Sequence, residues 1–476
     1  MPPAELTKHM KYKAMYKANE LFWGLGVEEE TYFQFTKPIH VAAPCLRENH
    51  TAERYSVKYF RSYKPLYVDA IAKLFPDSVG FVGIPYFLNA HAFNRMDIQG
   101  HHKTTYEKFP KVNKRFSGKT FFEELTEFKL SSCRCCRRKP TPFAKLFDTC
   151  CTFDGDSIEF MTQEFYNATV DSVIGELCAS KEVVLEYINT FIKTKGIHRD
   201  KGLLQYPLSN PGFVVQYTNP GSIAMFNNGT YHINITLPTQ LGPLNPQGIP
   251  MIVNPEKFKK DHQRFIRCIQ WMEPFVIGVF GTPDPLSTVS DLYSKGSQRC
   301  AISRYIGICT YDTNAMKSGK ILTESTDTIR GSNKEFWWYR KYHADSGYTM
   351  LDEIGLDVSY NKHYNHGVEI RFLEWFPETM LKGLMSFYVN LADASLEMEY
   401  IEEPIMSEVY NDLIVQMLRE GRQCIVAQKV LAVYEKVFGF SFKVDEPTLE
   451  DVFICMRDEL RVRYSDGVCA KHMMRA

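Results

Sequence analysis

Hydrophobic and polar residues alternate along four separate stretches of the chain and recur at three- and four-residue spacing along five others. Alternation turns successive side chains to opposite faces of a strand, whereas the longer spacing gathers apolar residues on one side of a helix. The first pattern predicts strands over 21–35, around 156–165, over 228–239 and over 366–377. The second predicts a helix over 170–196, where Val173, Leu177, Val184, Ile188 and Ile192 recur, and a long buried helix over 254–281, broken near Pro274. Beyond Pro377 only helical spacing remains, over 378–399, 405–438 and 447–463. The expected class is α+β, with a sheet-bearing domain over 1–377 and a helical C-terminal part over 378–476 packed on it.

The polar residues of the strands fall on one side. In GVEEE, Glu28 and Glu30 share a face that Glu29 does not. In GTYHINITL, His232, Asn234 and Thr236 oppose Tyr231, Ile233, Ile235 and Leu237, and in VEIRF, Glu369 and Arg371 oppose Val368, Ile370 and Phe372. Glu159 stands between Ile158 and Phe160, with Asp154 and Asp156 just before it. A single acidic strand is ordinarily the solvated face of an antiparallel sheet. Four with the same asymmetry and almost no lysine predict instead one sheet with helices on its apolar side and a cavity on its polar side. Carboxylates and one imidazole suit Mg²⁺ or Mn²⁺ better than zinc, and Arg371 would reach an anion bridged by such ions.

Composition narrows the partners. The chain has 476 residues, 44% of them hydrophobic and 14% aromatic, enough for a large core, and its 56 basic residues equal its 56 acidic ones. Neither nucleic acid nor a membrane surface is implied. The N-terminus lacks an apolar signal segment and no run is long enough to span a bilayer, which predicts a soluble, cytoplasmic chain whose thirteen cysteines are reduced and whose sequons at Asn167, Asn228 and Asn234 carry no sugar. The basic, cysteine-dense insert near 131–142 reads as an exposed loop. Its Cys133, Cys135 and Cys136, with Cys150 and Cys151, lack a standard zinc spacing. SGKT at 117–120 ends like a phosphate-binding loop, but Asn113 occupies its first glycine position, and WGLG lacks the third glycine of a dinucleotide fingerprint.

Taken in order, GVEEE, SIEFMT, GTYHINITL, IQWMEPFVIGVFGTPDP, KEFWWYR and VEIRFLEWFP resemble the motifs of bacterial-type glutamate-cysteine ligase, a glutamine synthetase-like carboxylate-amine ligase, from about residue 22 to 377. The resemblance implies a glutamine synthetase-like antiparallel sheet with a concave polar face. It implies ATP and Mg²⁺ (or Mn²⁺) as cofactors, and Glu28, Glu30, Glu159, His232 and Glu369 as metal ligands. Asp154 joins them only if about two residues are deleted before Glu159. His232, Asn234, Arg340 and Arg371 would contact nucleotide, and Arg371, Glu30 and Arg304 would act in catalysis. The implied partners are small molecules, glutamate and an amine, with cysteine the expected amine and glutathione precursor synthesis the setting. No counterpart exists for the cysteine-rich insert.

Amide formation from a carboxylate needs activation, and transfer of a phosphoryl group from ATP to give an acyl phosphate supplies it. Other readings compete: a γ-glutamyl ligase using another amine, a guanidino phosphotransferase on a related sheet, a metal- or metabolite-binding protein without turnover, and a metal-dependent phosphodiesterase. The neutral charge balance weighs against the last.

Overall fold

The computed structural model describes residues 17, 19–42, 81–84, 86–101, 116–129, 142–154, 157–208, 210, 229–246, 250–283, 287, 294–297, 358–360, 365–402, 404 and 407–474. Strands β1 (Leu21–Thr31), β2 (Phe33–Phe35), β3 (Ile39–Ala42), β4 (Phe81–Ile84) and β5 (Phe87–Leu88) come first, followed by helices α1 (Ala90–Arg95), α2 (Phe121–Glu127) and α3 (Phe143–Cys150). The hairpin of β6 (Cys151–Asp154) and β7 (Ser157–Met161) leads to α4 (Val170–Thr194), the single turn α5 (His198–Lys201) and β8 (Leu204–Gln205). Next are β9 (Thr230–Leu244), β10 (Pro250–Ile252), α6 (Pro255–Phe280), β11 (Val358–Tyr360) and β12 (Val368–Ile370). Helices α7 (Leu381–Glu397), α8 (Glu408–Glu420), α9 (Gln428–Phe438), α10 (Leu449–Arg463) and α11 (Val468–Met473) close the chain. The class is α+β.

Seven strands form the main sheet in the order β11-β12-β9-β1-β7-β6, with β10 paired to the far end of β9. Every pairing in it is antiparallel. Period-two alternation gives this sheet one apolar face, where Leu25, Val27, Ile158, Phe160, Tyr231, Ile233, Ile235, Val368 and Ile370 are all fully buried. Burial of such side chains contributes about 1.5–3 kcal/mol each. Helices α4 and α6 lie against it, and α7, α8 and α10 cover α6 in turn. Sheet and C-terminal helices thereby belong to one apolar cluster.

Three expectations need correction. Helix α6 runs unbroken through Pro274. Proline has no N–H for the carbonyl of Gln270, but every residue from 265 to 280 is buried and that packing outweighs one lost bond. The stretch 405–438 is two helices, α8 and α9, separated by a 3₁₀ turn at Gly421–Gln423 and an extended link. Of 366–377 only three residues pair as a strand, because Trp375 turns its N–H to the carbonyl of Gly229. Among the described residues, no helix is long and apolar enough to cross a membrane.

Candidate metal and catalytic site

Strand register decides which polar side chains meet. Glu28 lies opposite His232 on one side and Met161 on the other, while Glu30 lies opposite Thr230 and Glu159. Glu369 lies opposite Asn234. Directly opposed residues share a face, so Glu28, Glu30, Glu159, His232, Asn234 and Glu369 project from the same side of four adjacent strands. Asp154, opposite Ser157, is on this side too, at the outer strand β6.

His232 is the centre of the arrangement. Its Nδ1 is 3.3 Å from Glu28 Oε2 and 3.7 Å from Glu369 Oε1, and its Nε2 is 3.6 Å from Glu30 Oε1 and 3.4 Å from the hydroxyl of Thr230. Arg371 donates to Glu369 Oε1 at 2.9 Å, Asn234 Nδ2 to Glu28 Oε1 at 3.4 Å, and the Ser157 hydroxyl to Glu30 Oε2 at 3.2 Å. Burial is graded across the face. Glu369 and His232 are buried, Glu28 is 8% exposed, Glu30 and Glu159 are half-buried, and Asp154 is exposed.

Carboxylates this close repel unless a cation stands among them. Glu28, His232 and Glu369 each offer one ligand atom within 4.8 Å of the other two. Donors on opposite sides of a divalent ion lie about 4–5 Å apart, twice the usual metal–oxygen distance. Two carboxylates and one imidazole therefore fit a single divalent cation, with Glu30 across the imidazole ring. Asp154 stands outside this buried group. Arg304 and Arg340 lie outside the described residues.

Gly24, ahead of the glutamates, also has a reason. A Cβ on Gly24 would sit 2.3 Å from the ring of Phe165, so glycine is required there. That ring, stacked on His366 at 4.3 Å between centroids, covers the sheet at the Gly24 end and stops the polar face there.

Alternation sends Glu29 through the sheet to the apolar side, where it is fully buried. Lys181 Nζ from α4 lies 3.0 Å from its Oε1 and 2.8 Å from its Oε2, and Trp375 Nε1 donates to Oε1 at 2.9 Å. Lys181 also binds Glu378, which accepts from the thiol of Cys178 at 2.7 Å. Burial pulls the Lys181 ammonium down, but the charges of Glu29 and Glu378 outweigh it and raise it. Burial pushes Glu378 up, and Lys181 with the Cys178 hydrogen bond outweighs that and holds it below its ordinary value. Burial first, then Glu378, pushes the Cys178 thiol up to about 12. Sequence reading passed over this network. Its signal was present, because Lys181 occupies the apolar stripe of α4 between Leu177 and Val184, a position a lysine holds only when paired. Cys150 and Cys151 are buried thiols, and Cys133, Cys135 and Cys136 lie outside the described residues.

Compared with known proteins, the chain is 35% identical over 465 residues to an uncharacterized protein, R704, of Acanthamoeba polyphaga mimivirus, covering 97% of this chain and 79% of the viral one. No family model matches the chain.

Proposed function

We propose that this chain, which belongs to the same family as the mimivirus protein R704, is an ATP- and Mg²⁺-dependent carboxylate-amine ligase with a glutamine synthetase-like sheet. It joins the γ-carboxylate of glutamate to an amine through an acyl phosphate, with cysteine as the amine. One observation carries this reading: Glu28, His232 and Glu369, far apart in sequence, converge within 4.8 Å on a buried sheet face. Glu30 completes the ring around the imidazole, and Arg371 is held against Glu369.

In this reading Glu28, His232 and Glu369 hold a divalent cation, with Glu30 and Glu159 beside them. Such an ion neutralises anionic oxygens that meet during phosphoryl transfer. Arg371 stabilises charge on the transferred group, and its pairing with Glu369 fixes its position beforehand. Arg304 and Arg340 are proposed for phosphate and substrate, and Asn234 for nucleotide.

The test is direct. Purified chain is given ATP, Mg²⁺, glutamate and a panel of amines, with ADP and inorganic phosphate both measured. The expected result is equal release of both, with γ-glutamylcysteine as product. ADP formed without phosphate would replace the ligase with a guanidino phosphotransferase, and no ADP with any amine would overturn turnover altogether.

A further inference from the structure

The side of β1 away from the site holds a device with no ligand of its own. Glu29 lies between Glu28 and Glu30 in sequence, and its buried carboxylate is bound by Lys181 of α4 and by Trp375 Nε1. Trp375 also meets Gly229, the residue just before strand β9. Its N–H donates to the carbonyl of Gly229 at 3.0 Å. Its Cβ also approaches so closely that a Cβ on Gly229, where φ is +82°, would be 2.9 Å away. Gly229 immediately precedes Thr230, Tyr231 and His232. A second link runs from Lys181 to Glu378. One carboxylate thus joins the three chain segments that supply Glu28 and Glu30, His232, and Glu369 with Arg371.

Such a tie matters most for Glu369. Strand β12 is three residues long and pairs with β9 on one side and with the equally short β11 on the other, so its ladder is brief on both sides. Its position is set by what holds its flanks. Upstream, the N–H of Gly367 donates to the hydroxyl of Thr236 at 2.9 Å. Downstream, Glu374 accepts from the N–H of Thr282 and from the hydroxyl of Ser297, and Trp375 follows with its bonds to Gly229 and Glu29. Metal donor sets lose affinity when they shift by about 0.5 Å, and a loosened Trp375 removes the tie that links the segment of Glu369 both to β1 and to the residue before β9.

We propose that Glu29, Lys181 and Trp375 are positioning residues that hold the cation-binding face of the sheet in register from behind, without touching the ion. This rests on the reading of Glu28, His232 and Glu369 as a cation site. The test measures Mn²⁺ binding to the full chain, without substrates, by the paramagnetic resonance of free Mn²⁺. Trp375→Phe keeps the aromatic bulk and removes the N–H, and Glu29→Gln keeps the shape and removes the charge. Each is expected to weaken Mn²⁺ binding about tenfold while urea unfolding shows the chain fully folded under the binding conditions. Tyr434→Phe removes a core hydrogen bond from Tyr434 to the Trp271 carbonyl, and is expected to leave Mn²⁺ affinity unchanged. Wild-type affinity in Trp375→Phe, or equal loss in Tyr434→Phe, overturns the positioning role. Should Glu29→Gln fail to fold, Trp375→Phe decides. Failure of wild type to bind Mn²⁺, or undiminished binding in Glu28→Gln and Glu369→Gln, instead removes the cation site and the inference with it.

Discussion

The two faces of β1 treat adjacent glutamates in opposite ways. On one face Glu28 and Glu30, joined by Glu369, surround the imidazole of His232, with the guanidinium of Arg371 against Glu369. On the other, Glu29 has both oxygens beside an ammonium and one of them on an indole N–H. The rear carboxylate has its countercharge built in, and in the proposed reading the front group takes up a divalent cation. Burial alone does not distinguish the two faces, since Glu29 and Glu369 are both almost completely buried.

The largest expected effect sharpens the front side of that contrast. If the proposed reading holds, Glu28→Gln removes a cation ligand and a repelling charge together, so ligation is lost while the urea midpoint stays level or rises. Unchanged ADP release in this variant would take Glu28 out of the chemistry. Next, Lys181→Ala breaks the rear side by leaving Glu29 buried without a countercharge, with only the indole N–H of Trp375 still on it. Equilibrium unfolding should show a loss of about 3–5 kcal/mol.

A smaller effect tests how poorly the rear side accepts unpaired charge. His262 of α6 accepts the N–H of Leu237 on Nε2 at 3.0 Å and turns Nδ1 to the carbonyl of Phe258 at 2.7 Å, and burial pushes it from 6.5 down to about 4. The unfolded chain therefore binds a proton that the folded chain refuses between those values. Stability from this group is complete above pH 6.5 and is lost as pH falls toward 4, at about 1.4 kcal/mol per pH unit. Urea midpoints measured from pH 7.5 to 5 should fall more steeply for wild type than for His262→Gln. The smallest effect comes from replacing the rear pair together. Glu29→Gln with Lys181→Met should cost about 1 kcal/mol or less, far below Lys181→Ala alone, and equal losses would mean that Lys181 acts through packing and not through charge.

Much of the site was legible because strand periodicity is strict. Once Glu28, His232 and Glu369 are assigned to strands, two-residue alternation fixes which face they share, and only the neighbour order remains to be learned. The shared face of Glu28 and Glu30 follows from the alternation of β1 alone. The partners from helices and loops were not, since they depend on how elements dock. Lys181 was visible as a polar intruder in an apolar stripe, yet nothing in its own helix says that Glu29 is opposite. Phe165 explains Gly24 only after β1 and the chain beyond β7 are seen in contact. Pro274 misled for a related reason: its local cost is legible, and the packing that overrides it is not.

The shared apolar cluster has a bearing on how this chain can be divided. Helix α6 is backed by the sheet on one side and by α7, α8 and α10 on the other, so shortening the chain after residue 380 would leave a greasy flank where Trp271, Phe275 and Phe280 now meet Tyr410, Tyr434 and Phe453. The last ninety-odd residues are thus backing for the helix behind the sheet and not a detachable appendage, and any working miniature would have to rebuild that cover first.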